Sequence, residues 1–243
     1  MRTIVAVGGG ATTDAVRDYL IGVTGKERPK LLYLNTASAH DPRQTVRAFQ
    51  NLSRVAVVEL VEFFPWPPDE LRELTLEQDI VFVGGGNTAN MLAIWRAHGF
   101  DQILREAYDR GIVLSGSSAG MLCWYEAGVT DSFGPQLEGL RNGLGFLAGS
   151  GCPHYDDEEL RRPIYRRLID EEGFPPGFRV ERIIKLKLRA ICGTEAIDLL
   201  AGLGLRCVYL VRGLRAEYVE FLFVSFRLAG LHVTAQRCVR CNG

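Results

Sequence analysis

The chain has no long apolar run: nothing approaches the ~20 consecutive residues that a membrane-spanning helix needs, so no membrane partner is expected. It also lacks a dominant charge, because 28 basic and 29 acidic residues leave a formal net charge of -1. No global field therefore recruits nucleic acid or an anionic surface. Six cysteines in 243 residues are too few for a disulfide scaffold. Met1-Arg2-Thr3-Ile4 leads straight into a strand-like run instead of a secretion signal, so reduced thiols and a cytoplasmic location are the expectation. Cys238 and Cys241 form one C-x-x-C pair with no second pair at zinc-binding spacing, so no metal is expected and a loose tail is the reading. Cys123 reads as helix packing. Histidine is scarce, with four in all, which keeps the list of candidate bases short.

What is present is a regular alternation. Apolar, β-branched runs at Thr3–Val7, Leu31–Leu34, Val55–Leu60, Asp79–Val83 and Ile112–Leu114 alternate with helix-compatible segments at Thr13–Ile21, Arg43–Leu52, Asn90–His98 and Phe100–Arg110. Continuous apolar strands separated by helices indicate a parallel sheet covered on both faces. A short helix through Leu74 is expected after Pro65-Trp66-Pro67-Pro68, with Asp69 as its cap. At this length one α/β domain over residues 1–243 is the default.

In such sheets, sites collect at the carboxyl ends of the strands, and three small-residue turns fall there. Gly8-Gly9-Gly10 follows the first strand and Gly84-Gly85-Gly86-Asn87-Thr88 the fourth. Gly116-Ser117-Ser118-Ala119-Gly120 follows the fifth and fits G-x-S-x-G, the pattern of a nucleophile elbow with Ser118 at its centre. The glycines permit a strand to turn directly into a helix, and the serine is held at the helix start, where free N–H groups favour developing negative charge. A plain Gly-Ser turn is the competing reading. Gly84-Gly85-Gly86-Asn87-Thr88-Ala89 also satisfies G-x-G-x-x-A, which leaves a nucleotide-binding oxidoreductase as an alternative, although the motif lies mid-chain.

A serine needs a base. His154, after Cys152-Pro153, lies in a loop that could aim it at the elbow, and His40 beside Asp41 is the other candidate. His98 reads as a helix C-terminal residue and His232 as part of a strand.

Taken together, Val83-Gly84-Gly85-Gly86-Asn87-Thr88 with Trp95, Gly116-Ser117-Ser118-Ala119-Gly120 and Cys152-Pro153-His154-Tyr155 resemble the serine peptidase family that includes peptidase E, the aspartyl dipeptidase. The resemblance runs from about Thr3 to Phe178. It implies a three-layer αβα sandwich with a mostly parallel sheet, similar to class I glutamine amidotransferases and flavodoxin-like in layout. It also implies hydrolysis of short peptides with an N-terminal aspartate through an acyl-serine intermediate, without a cofactor. Ser118 resembles the nucleophile and His154 the general base, and Gly86 and Ala119 would supply oxyanion-hole amides. Asp131 lies near the family's functional aspartate, where it would orient His154 or cap a turn. Arg161 and Arg162 would offer a cation to an acidic substrate, or form a solvated helix face. From about residue 179 the segment diverges, and Glu181 and Glu195 stand as substitutes for a third triad member. A relative that binds peptides or small molecules without turnover is the remaining alternative, and the sequence leaves a homodimer open.

Overall fold

Strand β1 (Thr3–Val7) is buried along its whole length, and its side chains divide between two apolar clusters, Ile4 and Ala6 in one and Val5 in the other. The same division runs through β2 (Lys30–Leu34), β4 (Ile80–Val83) and β5 (Val113–Ser117), and β3 (Val57–Val61) completes the parallel set. Leu32, Leu34, Val81, Val83 and Leu114 point one way, while Leu31, Tyr33, Ile80, Phe82 and Val113 point the other. Because successive side chains in a strand alternate in direction, an unbroken apolar run means that both faces of the sheet are covered. The computed structural model describes residues 2–9, 14–155, 157–180, 207–212 and 219–223.

Helices α1 (Asp14–Gly22) and α2 (Pro42–Leu52) cover one face through Leu20 and Leu52. Helices α3 (Leu71–Leu76), α4 (Thr88–Ala97), α5 (Phe100–Asp109) and the single turn α6 (Ala119–Leu122) cover the other, with Met91, Leu92, Trp95, Leu104 and Met121 against the sheet. The result is the expected three-layer α/β sandwich.

Local chemistry sets the helix starts. Asp41 caps α2 by accepting the Arg43 N–H at 2.9 Å, and Pro42 occupies the first turn, where its missing N–H costs nothing. At α3 the expected cap, Asp69, is displaced by one residue. Glu70 holds the cap position without a side-chain bond, and the Leu71 N–H donates to the Pro68 carbonyl at 3.2 Å. The rigid proline segment, not a carboxylate, turns the chain into this helix.

The seven-stranded sheet has the order β11-β10-β1-β5-β4-β2-β3. Strands β10 (Cys207–Arg212) and β11 (Val219–Phe223) extend it antiparallel beyond β1. A second sheet departs from the expectation of a single one. Its strands are β6 (Tyr125–Thr130), β7 (Glu138–Leu140), β8 (Leu147–Pro153) and β9 (Gly177–Val180), in the order β7-β6-β8-β9. Helix α7 (Arg161–Glu172) packs Tyr165 and Leu168 against Ala127, Val129 and Cys152 of this sheet. Among the described residues no helix is long and apolar enough to cross a membrane.

Candidate active site

Ser118 stands where β5 turns into α6, with φ 57° and ψ -113°. A residue with a Cβ adopts such angles only when its surroundings dictate them, and here they do. A Cβ on Gly116 would lie 2.2 Å from the Gly120 carbonyl oxygen, and one on Gly120 would lie 2.1 Å from that of Val83. Both outer glycines of G-x-S-x-G are therefore required by close backbone approach. The Ser118 N–H donates to Val7 O at 3.0 Å, and its carbonyl accepts from the Met121 and Leu122 N–H groups at 3.0 and 2.9 Å. The elbow is thus tied to β1 on one side and to its own helix on the other.

His154 reaches this point from the second sheet. It follows β8 directly, in a left-handed conformation with φ 55°, and its N–H donates to Gly8 O at 3.0 Å. Its ring occupies the space a side chain on Gly9 would need, with Cε1 2.0 Å from where that Cβ would be. Nε2 lies 2.8 Å from Ser118 Oγ. An imidazole whose Nε2 is unprotonated accepts the serine O–H at that distance. Burial lowers the His154 pKa below the ordinary 6.5. Glu158 acts against that shift, Arg161 reinforces it, and Asp157 and Asp131 raise the value. The net depression leaves the ring neutral at pH 7, the state that can take a proton.

The three glycines after β4 answer to three different neighbours. Cβ atoms at Gly84 and Gly86 would lie 2.8 Å from the Tyr33 hydroxyl and 2.1 Å from Ala37 O; one at Gly85 would lie 3.3 Å from Ser118 Cβ. This turn therefore lies against Ser118. Among the described residues neither the Gly86 nor the Ala119 N–H has an acceptor, so both are free to serve a developing oxyanion. The start of α4 is different. Its Thr88 and Ala89 N–H groups are taken by Ser132 Oγ at 2.9 and 3.3 Å, Asn90 N–H by Asn87 Oδ1 at 2.8 Å, and Met91 N–H by Asn87 O at 3.2 Å. A dinucleotide fingerprint needs those amides for a pyrophosphate, and here the chain itself uses them.

Asp131 lies beyond β6, mostly exposed, with Oδ1 4.0 Å from the Arg161 guanidinium. Among the described residues no carboxylate hydrogen-bonds the His154 ring. Arg161 is only 3 % exposed. It donates to Val129 O at 2.9 Å and to Glu158 Oε2 at 2.7 Å, and the Glu158 N–H in turn donates to His154 O at 3.1 Å. Arg161 therefore braces the segment after His154 onto β6, on the inner face of α7 and not on the solvated one. Arg162 lies over the Tyr155 ring at 5.1 Å. Glu181, Glu195, His232, Cys238 and Cys241 lie outside the described residues. His40, the other candidate base, accepts the Phe63 N–H at 3.4 Å through Nε2 and faces Glu62 at 3.6 Å through Nδ1, so it serves the ends of β2 and β3. His98 caps the C-terminus of α4, and Cys123 is buried, as expected.

Two contributors were not singled out by sequence: Gly9 as the floor under the imidazole, and Ser132. The Gly8-Gly9-Gly10 run signalled a turn but not its occupant, and nothing local marks Ser132, whose partners are 44 and 43 residues away.

The profile described as Peptidase family S51 matches residues 4–184. The chain is 41% identical over 189 residues to the "Uncharacterized peptidase YgaJ" of Bacillus subtilis (strain 168), covering 74% of this chain and 80% of that protein. Among solved structures, a candidate peptidase E protein from Listeria monocytogenes EGD-e superposes with a TM-score of 0.60 at 15% identity, over 93% of this chain and 100% of the other. A peptidase from an acI-B1 Actinobacterium gives 0.61 at 14% identity, over 92% of this chain and 88% of the other. At these identities the two structures speak for the fold. The matched profile spans the elbow, the glycine turn and the histidine alike, and the chain belongs to peptidase family S51.

Proposed function

We propose that this S51 peptidase hydrolyses short peptides through an acyl-Ser118 intermediate, with a preference for an N-terminal aspartate. The observation that carries the reading is the 2.8 Å contact between Ser118 Oγ and His154 Nε2 at a strained elbow. Ser118 Oγ attacks the scissile carbonyl carbon while its proton passes to Nε2, and the tetrahedral oxyanion accepts hydrogen bonds from the Gly86 and Ala119 N–H groups. The imidazolium then protonates the departing amine. Water, deprotonated by the same ring, attacks the acyl carbon and releases Ser118. Asp131, with Glu158 and Asp157, stabilises the imidazolium through space. Arg162, whose guanidinium lies over the Tyr155 ring one residue after His154, is the cation we assign to an acidic substrate side chain. We place the activity in the cytoplasm, in keeping with Cys123 and Cys152 both being free thiols.

A fluorophosphonate probe tests the mechanism, and hydrolysis of Asp-X dipeptides against Ala-X dipeptides tests the preference. Stoichiometric labelling of the folded protein, abolished by Ser118→Ala, is the expected result. Folded protein that stays unlabelled would instead support a binding protein without turnover.

A further inference from the structure

We infer that Ser132 is a positioning residue for the oxyanion turn, a latch that fixes the Gly84–Gly86 backbone from the second sheet. The inference rests on the acyl-serine reading above. It starts from proton accounting at one oxygen. Ser132 Oγ accepts the Thr88 N–H at 2.9 Å and the Ala89 N–H at 3.3 Å, which fills both of its lone pairs. Its own proton must then go to a third group, and Thr130 Oγ1 at 2.6 Å is the acceptor. Thr130 Oγ1 also accepts the Ser132 N–H at 3.2 Å, so the hydroxyl's direction is set from β6. The Ser132 carbonyl completes the clasp by accepting from Asn87 Nδ2 at 2.9 Å.

These bonds end on Asn87, Thr88 and Ala89, the residues immediately after Gly86. On its other side the same turn is held by the β2 end, where the Asn87 N–H donates to Ala37 O at 2.7 Å. Glycine is intrinsically loose, and three in succession hold a definite path only if something outside them imposes it. With the turn gripped from β2 and from the loop after β6, the Gly86 N–H keeps its direction, next in the chain to Gly85, which packs against Ser118. An oxyanion donor acts only when it is already aimed before the charge develops. Asp131 was the residue of this segment with an expected role, yet its neighbour makes the direct contacts. The latch also joins both halves of the site to one sheet, since β6 pairs with β8, the strand that delivers His154.

The test is Ser132→Ala, with Ser132→Thr as the conservative variant that restores a hydroxyl. We expect Ser132→Ala to lower kcat by about 10- to 100-fold, the scale of a weakened oxyanion donor. KM should stay within about 2-fold, and the acid limb of the pH profile, which reports His154, should not move. Amide exchange at Gly85–Ala89 should accelerate, and Ser132→Thr should recover most of kcat. A merely structural cap would instead lower the melting temperature and leave kcat intact. That result overturns the proposal, as does unchanged exchange in the turn. If the wild type itself fails to react with fluorophosphonate, the acyl-serine reading falls and the positioning role falls with it. A labelled wild type with an equally reactive Ser132→Ala refutes the latch alone.

Discussion

Gly9→Ala should disable the site without touching either reacting residue. The added Cβ would lie 2.0 Å from His154 Cε1, 2.4 Å from Nδ1 and 2.9 Å from Nε2. Bringing the nearest of these to an ordinary 3.4 Å contact requires the ring to retreat by about 1.4 Å. The Ser118–His154 bond starts at 2.8 Å, so a retreat of that size carries it out of hydrogen-bonding range. A positioned general base contributes about 10²- to 10⁴-fold in rate, and kcat/KM should fall by that factor. Folding should suffer far less, because the obstacle is a side-chain ring able to rotate away. The backbone angle at Gly9, φ 154°, adds strain of about 1–3 kcal/mol. At about 2–4 °C per kcal/mol for a chain of this size, the melting temperature should drop by roughly 2–12 °C. Gly173→Ala is the control: Gly173 has φ 61° with open space around it, so it carries comparable backbone strain away from His154. Labelling rate and peptide hydrolysis should survive Gly173→Ala and collapse in Gly9→Ala. If folded Gly9→Ala labels at the wild-type rate, the ring is not where the chemistry needs it, and the argument for His154 fails.

Two further outcomes concern charge. Burial lowers the His154 pKa below 6.5, and the base must be neutral to act, so kcat/KM should fall on acidification with a midpoint below 6.5. Glu158→Gln removes the largest group raising that pKa, and a stopped pH–rate profile should show the limb moved to still lower pH. The same depression means that the unfolded chain binds a proton first, so this residue's contribution to stability is present above 6.5 and lost as pH falls through the folded value. Asp131→Asn should cost only about 2- to 10-fold in kcat/KM. A carboxylate hydrogen-bonded to the base costs about 10⁴-fold when neutralised, and a loss of that size would show that Asp131 orients the ring directly.

Four of the five parallel strands could be read because each buries both faces and so announces itself as an unbroken apolar run; β3, at the sheet edge, is only partly buried and carries Glu59. The elbow could be read because close backbone approach leaves no alternative to glycine at 116 and 120. The second sheet could not. Glu138–Leu140 and Gly177–Val180 are three and four residues long, and β8 contains two glycines and a proline, so no alternation rises above a loop-like composition. Its contribution was therefore anticipated only as a loop bearing His154. Arg161 misled for a related reason: a helix reading Arg-Arg-Pro-Ile-Tyr-Arg-Arg looks solvated, yet one guanidinium lies inward because a strand carbonyl and a carboxylate await it. The G-x-G-x-x-A match shows the converse hazard. Glycines admitted for three separate steric reasons, at Tyr33, Ser118 and Ala37, produced the spacing of a nucleotide motif by coincidence.

The alcohol and the imidazole belong to separately bonded sheets, tied near the reacting atoms by the amide link from His154 to Gly8 and by the Ser132 bonds to the start of α4. Turnover is therefore a gauge of docking between two halves that each assemble on their own hydrogen bonds. A slip of an ångström at that seam would silence the chemistry while every strand stayed paired, so under mild denaturant the activity should vanish before the far-ultraviolet signal of the backbone begins to change.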